Sequence, residues 1–264
     1  PRNNDFNGAE QLGTGYVQTT TKNGMRWSTA AGYLRGPAKH NIDLKLNAMV
    51  ESITLEGQRA TGVRWTDADG THRAGAECEI ILSGGTFNSP QLLQLSGIGP
   101  GGLLQEQGIE LRHDLPGVGE NLQDHFGIGA EYRSSVHSTV NDLYNNKIKG
   151  GLQLLRHLLF RTGPFADNGN YSNTFICSGP EIDRPDMMVT FMAWCTNEQL
   201  KPHPFSGFTI LAEHMRPTCR GHVRISGPNP TDHPEIQFNF FSNEVDQRAA
   251  IAGLQFGRKI AATA

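Results

Sequence analysis

The middle of the chain changes its hydrophobic pattern several times within a few residues. A short apolar run over residues 79–83 is typical of a strand that is covered on both faces. The next two residues, Gly84 and Gly85, allow positive φ and let another backbone or a ligand come close. Ser89 is a suitable N-cap for a helix, which the leucines that follow extend to Gly97. The pattern predicts a buried strand, a glycine turn and a short helix in succession.

The segments before this stretch have the hydrophobic patterns of β-strands. Apolar and polar residues alternate over residues 42–48, which predicts a half-buried strand. A meander of three strands is predicted next, with turns that contain glycine between its members. The members cover residues 50–55, 60–66 and 71–74.

Helical and strand patterns both occur after residue 125. A long amphipathic helix is predicted over residues 141–161. One side of it carries Leu152, Leu155, Leu158 and Leu159. Runs rich in β-branched and aromatic residues, joined by Pro/Gly loops, predict an antiparallel sheet. The runs cover residues 187–194, 208–214, 222–226 and 236–240.

A final helix is predicted near the end of the sequence. Ser242 or Asn243 is suited to open it, because a short polar side chain can cap the first free amides. The apolar residues recur at helical spacing, so one buried face is expected. That face consists of Val245, Ala249, Ala252, Phe256 and Ile260.

The overall composition is that of an ordinary globular protein. The chain has 264 residues, 37% of them hydrophobic, and a net charge of −3. This charge gives no reason to expect nucleic acid or an anionic membrane as a partner. No apolar run approaches the ~20 residues that span a bilayer. Four widely spaced cysteines without a C-x-x-C pair predict reduced thiols in a cytoplasmic protein.

Two familiar motifs are weak or missing. A literal G-x-G-x-x-G occurs at Gly97, Gly99 and Gly102, but it follows a helix, whereas a phosphate loop follows a strand. A structural turn is the favoured interpretation. The ten histidines form neither H-x-x-x-H nor H-E-x-x-H, so no metal site is expected.

The order of residues after the glycine pair resembles a signature of the glucose–methanol–choline (GMC) family of flavin-dependent oxidoreductases. The matching residues are Gly85, Thr86, Ser89, Pro90, Leu92, Leu93, Ser96, Gly97, Ile98 and Gly99. Further segments match in the family's order, at residues 4–8, 26–34, 115–125, 220–225 and 234–239. The branch resembled is that of the choline dehydrogenase-like and alcohol dehydrogenase-like members.

The resemblance implies an α/β (α+β) fold. Part of a Rossmann-like FAD-binding domain would be joined to a substrate domain with an antiparallel sheet and flanking helices. Residues 1–25 would be a lid or connecting segment, residues 26–125 the middle part of the FAD-binding domain, and residues 126–264 an incomplete substrate-binding domain. The family's N-terminal FAD phosphate loop and its catalytic histidine are not found in this sequence. We therefore expect an internal fragment without catalytic residues, which is inactive alone and retains flavin weakly or not at all.

The resemblance also implies the chemistry of the parent enzyme. An alcohol CH–OH group would be oxidised to a carbonyl, with hydride passing to flavin N5 and electrons going on to oxygen or a quinone. Val50 corresponds to the position whose backbone contacts the adenine of FAD, and Ser83, Gly84 and Gly85 would lie against the dinucleotide. An ordinary strand residue at Val50 and a simple tight turn at the glycines remain alternatives.

Asn168 and Tyr171 align with the segment that lines the family's substrate cavity. Choline-specific relatives place a glutamate where Tyr171 stands, and a quaternary ammonium needs a carboxylate or an aromatic box. An uncharged alcohol is therefore favoured as the substrate. A loop aromatic that packs on the sheet is the alternative for Tyr171.

Other functions stay open at this point. His125 and His214 are chemically suited to act as bases, but structural roles are favoured for both. A lyase-type activity on the same scaffold is one alternative function. A non-enzymatic module that binds an apolar ligand in the cavity of the sheet is another.

Overall fold

The computed structural model describes residues 1–263, which divide into two compact units. Unit 1 consists of Pro1–Ile42, His125–Thr218 and Asn243–Ala264, and unit 2 consists of Asp43–Asp124 and Cys219–Ser242. Both units are discontinuous in sequence. The domain boundaries drawn from the resemblance stay a prediction.

Strands in the described chain are mostly short. In chain order they are β1 (Gly13–Tyr16), β2 (Thr21–Lys22), β3 (Met25–Arg26), β4 (Met49–Glu56), β5 (Arg59–Asp67), β6 (Gly70–Gly75), β7 (Ile98–Gly99), β8 (His113–Asp114), β9 (Glu120–Leu122), β10 (Gly127–Arg133), β11 (Asn170–Ile176), β12 (Met187–Met192), β13 (Gly207–His214), β14 (Gly221–Arg224) and β15 (Glu235–Gln237).

The α-helices are α1 (Gly85–Leu95), α2 (Gly101–Glu106), α3 (Val140–Asn145), α4 (Lys147–Phe160) and α5 (Glu244–Ala261). Three single turns of other helix types lie at Ala30–Leu34, Pro37–Asn41 and Pro164–Ala166.

Unit 1 is built on a five-stranded antiparallel sheet with the order β1-β11-β12-β13-β10. Helix α5 packs on β13, on the edge strand β10 and on β12. The core between them consists of Met187, Val189, Ile210, Ala212 and Ala249. Of the four runs predicted to form an antiparallel sheet, 187–194 and 208–214 belong to this sheet as β12 and β13, whereas 222–226 and 236–240 lie in a separate sheet of unit 2 as β14 and β15. The predicted final helix is confirmed and begins after the N-cap Asn243.

Small residues bring α5 close to the sheet. A Cβ on Gly253 would lie 2.6 Å from the Cβ of Ala212 and 2.7 Å from Cε of Met187. The predicted buried face of α5 is therefore only partly right. Ala249 is buried, but Val245 is 49% exposed, and the fully packed side carries small residues that hydrophobicity alone does not single out.

Unit 2 contains the predicted meander β4-β5-β6, which the structure confirms. Helix α1 contacts both β4 and β14. A second antiparallel sheet has the order β15-β14-β9, and β7 and β8 form a short parallel pair. Gly97 ends α1 with φ of +82°, as predicted.

Two predicted strands are wrong. Within the described residues nothing pairs with 42–48 or with 79–83, and Ile81 is 76% exposed. An apolar run becomes a strand only where a neighbour accepts its backbone hydrogen bonds. The first strand-like run is thus irregular chain, in which Asn47 has φ of +54°, and the second leads directly into α1.

The start of α1 is also corrected. The helix begins at Gly85, so Ser89 is not its N-cap, and Pro90 lies inside it. Pro90 is the sixth residue of the helix and has no N–H, so α1 lacks the hydrogen bond that this position would otherwise donate to the carbonyl of residue 86.

The long helix predicted over residues 141–161 is two helices. Asn146 is extended between α3 and α4, and its side chain accepts a hydrogen bond from the amide of Lys149 at 3.0 Å. Asparagine competes with helical hydrogen bonding in this way, which breaks the helix at that point. Two strands of the sheet, β10 and β11, were not predicted, because their glycine and asparagine content is unlike that of a strand.

Candidate functional site

The glycine pair of unit 2 leaves the N-terminus of α1 open. Ser83, Gly84 and Gly85 are all exposed. Gly85 has φ of +83°, and the space that its Cβ would occupy is empty out to 4 Å. No side chain caps the first turn of α1. The backbone amides at this end of the helix are thus accessible to polar or anionic groups of a ligand.

Val50 lies beside this helix in a cavity of about 410 Å³. Met49 and Val50 of β4 form an apolar wall, and Asn88 and Gln91 of α1 face them. Residues 230–234 close a third side, where the Gln91 amide donates to the carbonyl of Asp232 at 2.8 Å. An apolar wall with a few polar groups is typical of a site for a small molecule or a cofactor.

Gly84 lies next to Asn88, which lines this cavity. A Cβ on Gly84 would lie 3.2 Å from the Cβ of Asn88, so only a residue without a side chain leaves Asn88 where it is. Ser83 and Gly85 are neighbours of that contact but do not line the cavity. Of the four residues predicted to bind the cofactor, Ser83, Gly84 and Gly85 thus lie at the start of α1, and Val50 lies beside the body of the same helix in unit 2.

Two buried polar side chains hold α1 in place. Gln94 is fully buried; its amide nitrogen donates to the carbonyls of Val118 (3.2 Å) and Val223 (3.0 Å), and its oxygen accepts from the amide of Ile225 (2.9 Å). Ser96 accepts a hydrogen bond from the amide of Ile53 on β4 at 2.8 Å. These contacts fix α1 against the strands of unit 2.

Sequence reasoning did not assign these two residues to the site. The available signal was Gln94, a lone amide inside a run of leucines. A polar residue within a buried helix face needs partners for its hydrogen bonds. Those partners are far away in sequence, so only the tertiary structure identifies them.

In unit 1, Asn168 lies two residues before β11, and Tyr171 is the second residue of that strand. Asn168 is exposed, accepts a hydrogen bond from the amide of Asn170 at 3.0 Å, and lines a cavity of about 460 Å³. Tyr171 is half-buried, and its carbonyl accepts from the amide of Val17 at 3.1 Å. It does not line that cavity, so the structure places one of the two predicted pocket residues at it.

Charges around this cavity are balanced. Arg26 and Asp167 both line it, and three threonines at residues 19–21 add hydroxyl groups. Nearby, the side-chain oxygen of Asn170 is buried and makes no hydrogen bond within residues 1–263. Such an atom is a candidate acceptor for a hydroxyl or a water. Sequence reasoning missed Asn170, although it stands between the two predicted residues.

The two histidines considered as bases differ in access. His125 is exposed. His214 is buried at the end of β13, with Nε2 3.8 Å from Oδ2 of Asp186 and Nδ1 3.4 Å from Oδ1 of Asp246. Burial lowers the pKa of His214, while the two carboxylates raise it and His125 lowers it further. A buried position such as this fits the structural role that the sequence favoured.

No metal centre is evident in the part of the chain that the structure describes, since no three His, Cys, Asp or Glu side chains converge on one point. Over the same residues no helix is long and apolar enough to cross a membrane.

Comparisons with known proteins agree with one another. Two sequence profiles described as GMC oxidoreductase match this chain, the N-terminal one over residues 1–127 and the C-terminal one over residues 217–264. Alcohol dehydrogenase [acceptor] of Pseudomonas putida is 34% identical over 262 residues, which are 98% of this chain and 48% of the relative. Oxygen-dependent choline dehydrogenase of Escherichia coli is 37% identical over 270 residues, which are 98% of this chain and 47% of the relative.

Solved structures share the fold. A variant of formate oxidase from Aspergillus oryzae superimposes with a TM-score of 0.88 at 24% identity, covering 98% of this chain and 50% of that one. Pyridoxine 4-oxidase from Mesorbium loti superimposes with a TM-score of 0.82 at 24% identity, covering 99% of this chain and 48% of that one. The chain thus spans about half the length of the relatives it matches. It belongs to the GMC oxidoreductase family of FAD-dependent enzymes.

Proposed function

We propose that this chain is part of an enzyme that uses FAD to oxidise an alcohol CH–OH group to a carbonyl. The observation that carries the proposal is the arrangement around α1. In a chain of this family, the open position of Gly85 lies at the start of α1, and a cavity with an apolar wall at Val50 lies beside the same helix. The residues present fit the adenine end of FAD, because they leave room for a ring beside exposed backbone.

The residues around α1 have different roles in the proposed cofactor site. Val50 offers its backbone and apolar surface to the adenine, and Gly84 and Gly85 keep side chains away from the dinucleotide. Gln94 and Ser96 hold α1 at a fixed distance from the strands that complete the site. When bound, the flavin supplies the hydride acceptor.

An uncharged alcohol is the proposed substrate. Asn168 lines the cavity of unit 1, and Arg26 offsets the charge of Asp167 there, so the lining offers no net negative charge to a quaternary ammonium. Tyr171 and the unbonded oxygen of Asn170 add polar groups nearby. We propose that these residues bind and orient the alcohol hydroxyl.

The electron acceptor and the cellular location are part of the same proposal. We propose oxygen or a quinone as the acceptor. A cytoplasmic location is proposed because the four cysteines, all within the described residues, form no disulfide. Neither a lyase nor a simple binding module is favoured, since the relatives carry the names of dehydrogenases and oxidases.

Titration of the purified chain with FAD tests the cofactor assignment, with flavin fluorescence as the readout. The variant Gly85→Asn places a side chain at the open glycine, and asparagine tolerates positive φ. We expect it to weaken FAD binding at least about tenfold, which corresponds to ~1.4 kcal/mol.

The matched control is Gly57→Asn in the turn between β4 and β5, where φ is +59° and the space is also empty. It should bind FAD as the unmodified chain does. Equal binding by the two variants would contradict the proposed site. Dye reduction by the complete enzyme of which this chain is proposed to be part, with choline and with uncharged alcohols as alternative substrates, then tests the substrate class.

A further inference from the structure

Helix α4 presents its apolar side to solvent. Along one stripe, Ile148 is 78% exposed, Leu152 61%, Leu155 51% and Leu159 65%. The one buried side chain of this helix is that of His157. At about 100° per residue, the stripe points to the side of the helix opposite His157. The sequence predicted an amphipathic helix here, but the structure buries the opposite face.

Charge along this helix has a single sign. Between Asp142 and Asp167 the chain carries Lys147, Lys149, Arg156 and Arg161, without any Asp or Glu. Lys147, Lys149 and Arg156 are exposed, and the ion pairs found within residues 1–263 involve other residues. The net charge of the whole chain is −3, so this positive surface is a local feature that the total conceals.

The cations lie at the edges of the apolar stripe. At the same angular spacing, Lys149 and Arg156 follow one edge of it, and Lys147 lies at the other. An exposed apolar stripe with cations at its edges is the pattern of a helix that lies in the interface of a bilayer. A protein groove for such a helix would have to be acidic along both edges, whereas the headgroups of an anionic bilayer meet both edges at once.

We propose that α4 docks on the surface of an anionic phospholipid bilayer. Its apolar stripe enters the boundary between headgroups and acyl chains, and its lysines and arginine contact lipid phosphates. The helix has 14 residues and lies parallel to the surface without crossing the bilayer. This revises the expectation, drawn from the net charge, that no anionic membrane is a partner.

Co-sedimentation with vesicles tests the proposal. The purified chain is mixed with vesicles of phosphatidylcholine alone, or of phosphatidylcholine with phosphatidylglycerol. We expect strong partitioning to the mixed vesicles only, weakened by high salt. The double variant Lys149→Gln/Arg156→Gln should partition about 30-fold more weakly, since each cation near the surface contributes about fivefold.

A second pair of variants tests the apolar stripe. Leu155→Glu should abolish sedimentation with the mixed vesicles. The matched control Leu46→Glu changes a leucine of unit 2 that is 71% exposed, and it should sediment like the unmodified chain. Far-UV circular dichroism checks that all variants are folded.

Several results would overturn the proposal. Equal sedimentation with neutral and mixed vesicles would show that the cations have no role. Absence of sedimentation with both kinds of vesicle would show that α4 does not bind a bilayer. If the chain instead forms a dimer that Leu155→Glu dissociates in analytical ultracentrifugation, the stripe belongs to an interface with a second copy.

Discussion

Helices α4 and α5 are both amphipathic and both belong to unit 1, but they differ in what they bury. Helix α5 buries mainly small residues, whereas α4 leaves its large apolar residues exposed. Helix α5 packs its smallest residues on the sheet, and the buried set consists of Asp246, Ala249, Ala250, Gly253 and Gly257. Helix α4 buries only His157 and leaves four large apolar side chains along one exposed stripe. The helix with more leucine thus contributes less to the core.

The difference teaches that a hydrophobic face and a buried face are separate properties of a helix. Close packing against a flat sheet requires side chains short enough for the helix axis to approach, which Gly253 and Ala249 provide. Large side chains instead need a groove or an apolar phase that accepts them. Four measurements, given in order of expected effect, test this contrast.

Removal of a buried carboxylate from α5 should have the largest effect. Asp246 accepts hydrogen bonds from the amide (2.8 Å) and hydroxyl (3.0 Å) of Thr218 and from the amide group of Asn243 (3.0 Å). Asp246→Ala leaves these donors without an acceptor and should cost about 3 kcal/mol of unfolding free energy in a urea titration. The exposed Glu244→Ala on the same helix is the control, with a change within about 0.5 kcal/mol. Equal losses from both would show that Asp246 adds nothing specific.

A larger side chain in the contact between α5 and the sheet should have the next largest effect on the free energy of unfolding. Gly253→Val places methyl groups where Ala212 and Met187 already lie, which should cost about 2 kcal/mol. Gly151→Ala on α4 is the matched control, because nothing lies within 4 Å of its absent Cβ. It should stabilise the chain by up to about 1 kcal/mol through helix propensity. A neutral Gly253→Val would show that α5 packs more loosely than these distances imply.

Acid should weaken the chain through His214, which lies between Asp186 and Asp246. Because burial lowers its pKa below the usual 6.5, the unfolded chain binds a proton at this histidine before the folded chain does. The contribution of His214 to stability is complete above about pH 6.5 and is lost as pH falls through the lowered folded pKa. Urea titrations at several pH values should show a loss of at most about 1.4 kcal/mol per pH unit. His214→Gln should remove this part of the slope, and an unchanged slope would contradict the assignment.

The smallest effect is expected on the exposed stripe of α4. Leu155→Ser removes a large apolar side chain that contributes little to the core, so unfolding free energy should change by less than about 0.5 kcal/mol. Ile210→Val, in the core beneath α5, deletes one carbon atom and should still cost about 1 kcal/mol. A larger loss from Leu155→Ser than from Ile210→Val would mean that α4 is buried in solution.

Local signals were the most reliable part of the sequence. The meander β4-β5-β6 was predicted because its turns contain Gly57 and Gly70, both with positive φ. The start of α5 was predicted from Asn243, whose side chain caps the amide of Asp246 at 2.9 Å. In each case the residue that specifies the structure lies within a few positions of the one that it affects.

Predictions that depended on distant partners were less successful. The run at residues 79–83 has the composition of a buried strand, but nothing among the described residues pairs with it. Gln94 was missed because its partner Val223 lies 129 residues further on. For the site itself, Val50, Asn168 and the glycine pair were identified by resemblance, and the resemblance did not reveal the hydrogen bonds that support them.

The sequence by itself determined the family, the positions of several helices and strands and the residue types around the candidate site. Those properties are written in local spacing and in motif order, which do not depend on where the chain packs. Only the tertiary structure decided that α5 is held by small residues, that α4 faces outward with its cations, and that Gln94 joins α1 to distant strands. Burial is a relation between segments far apart in the chain, so no local pattern specifies it.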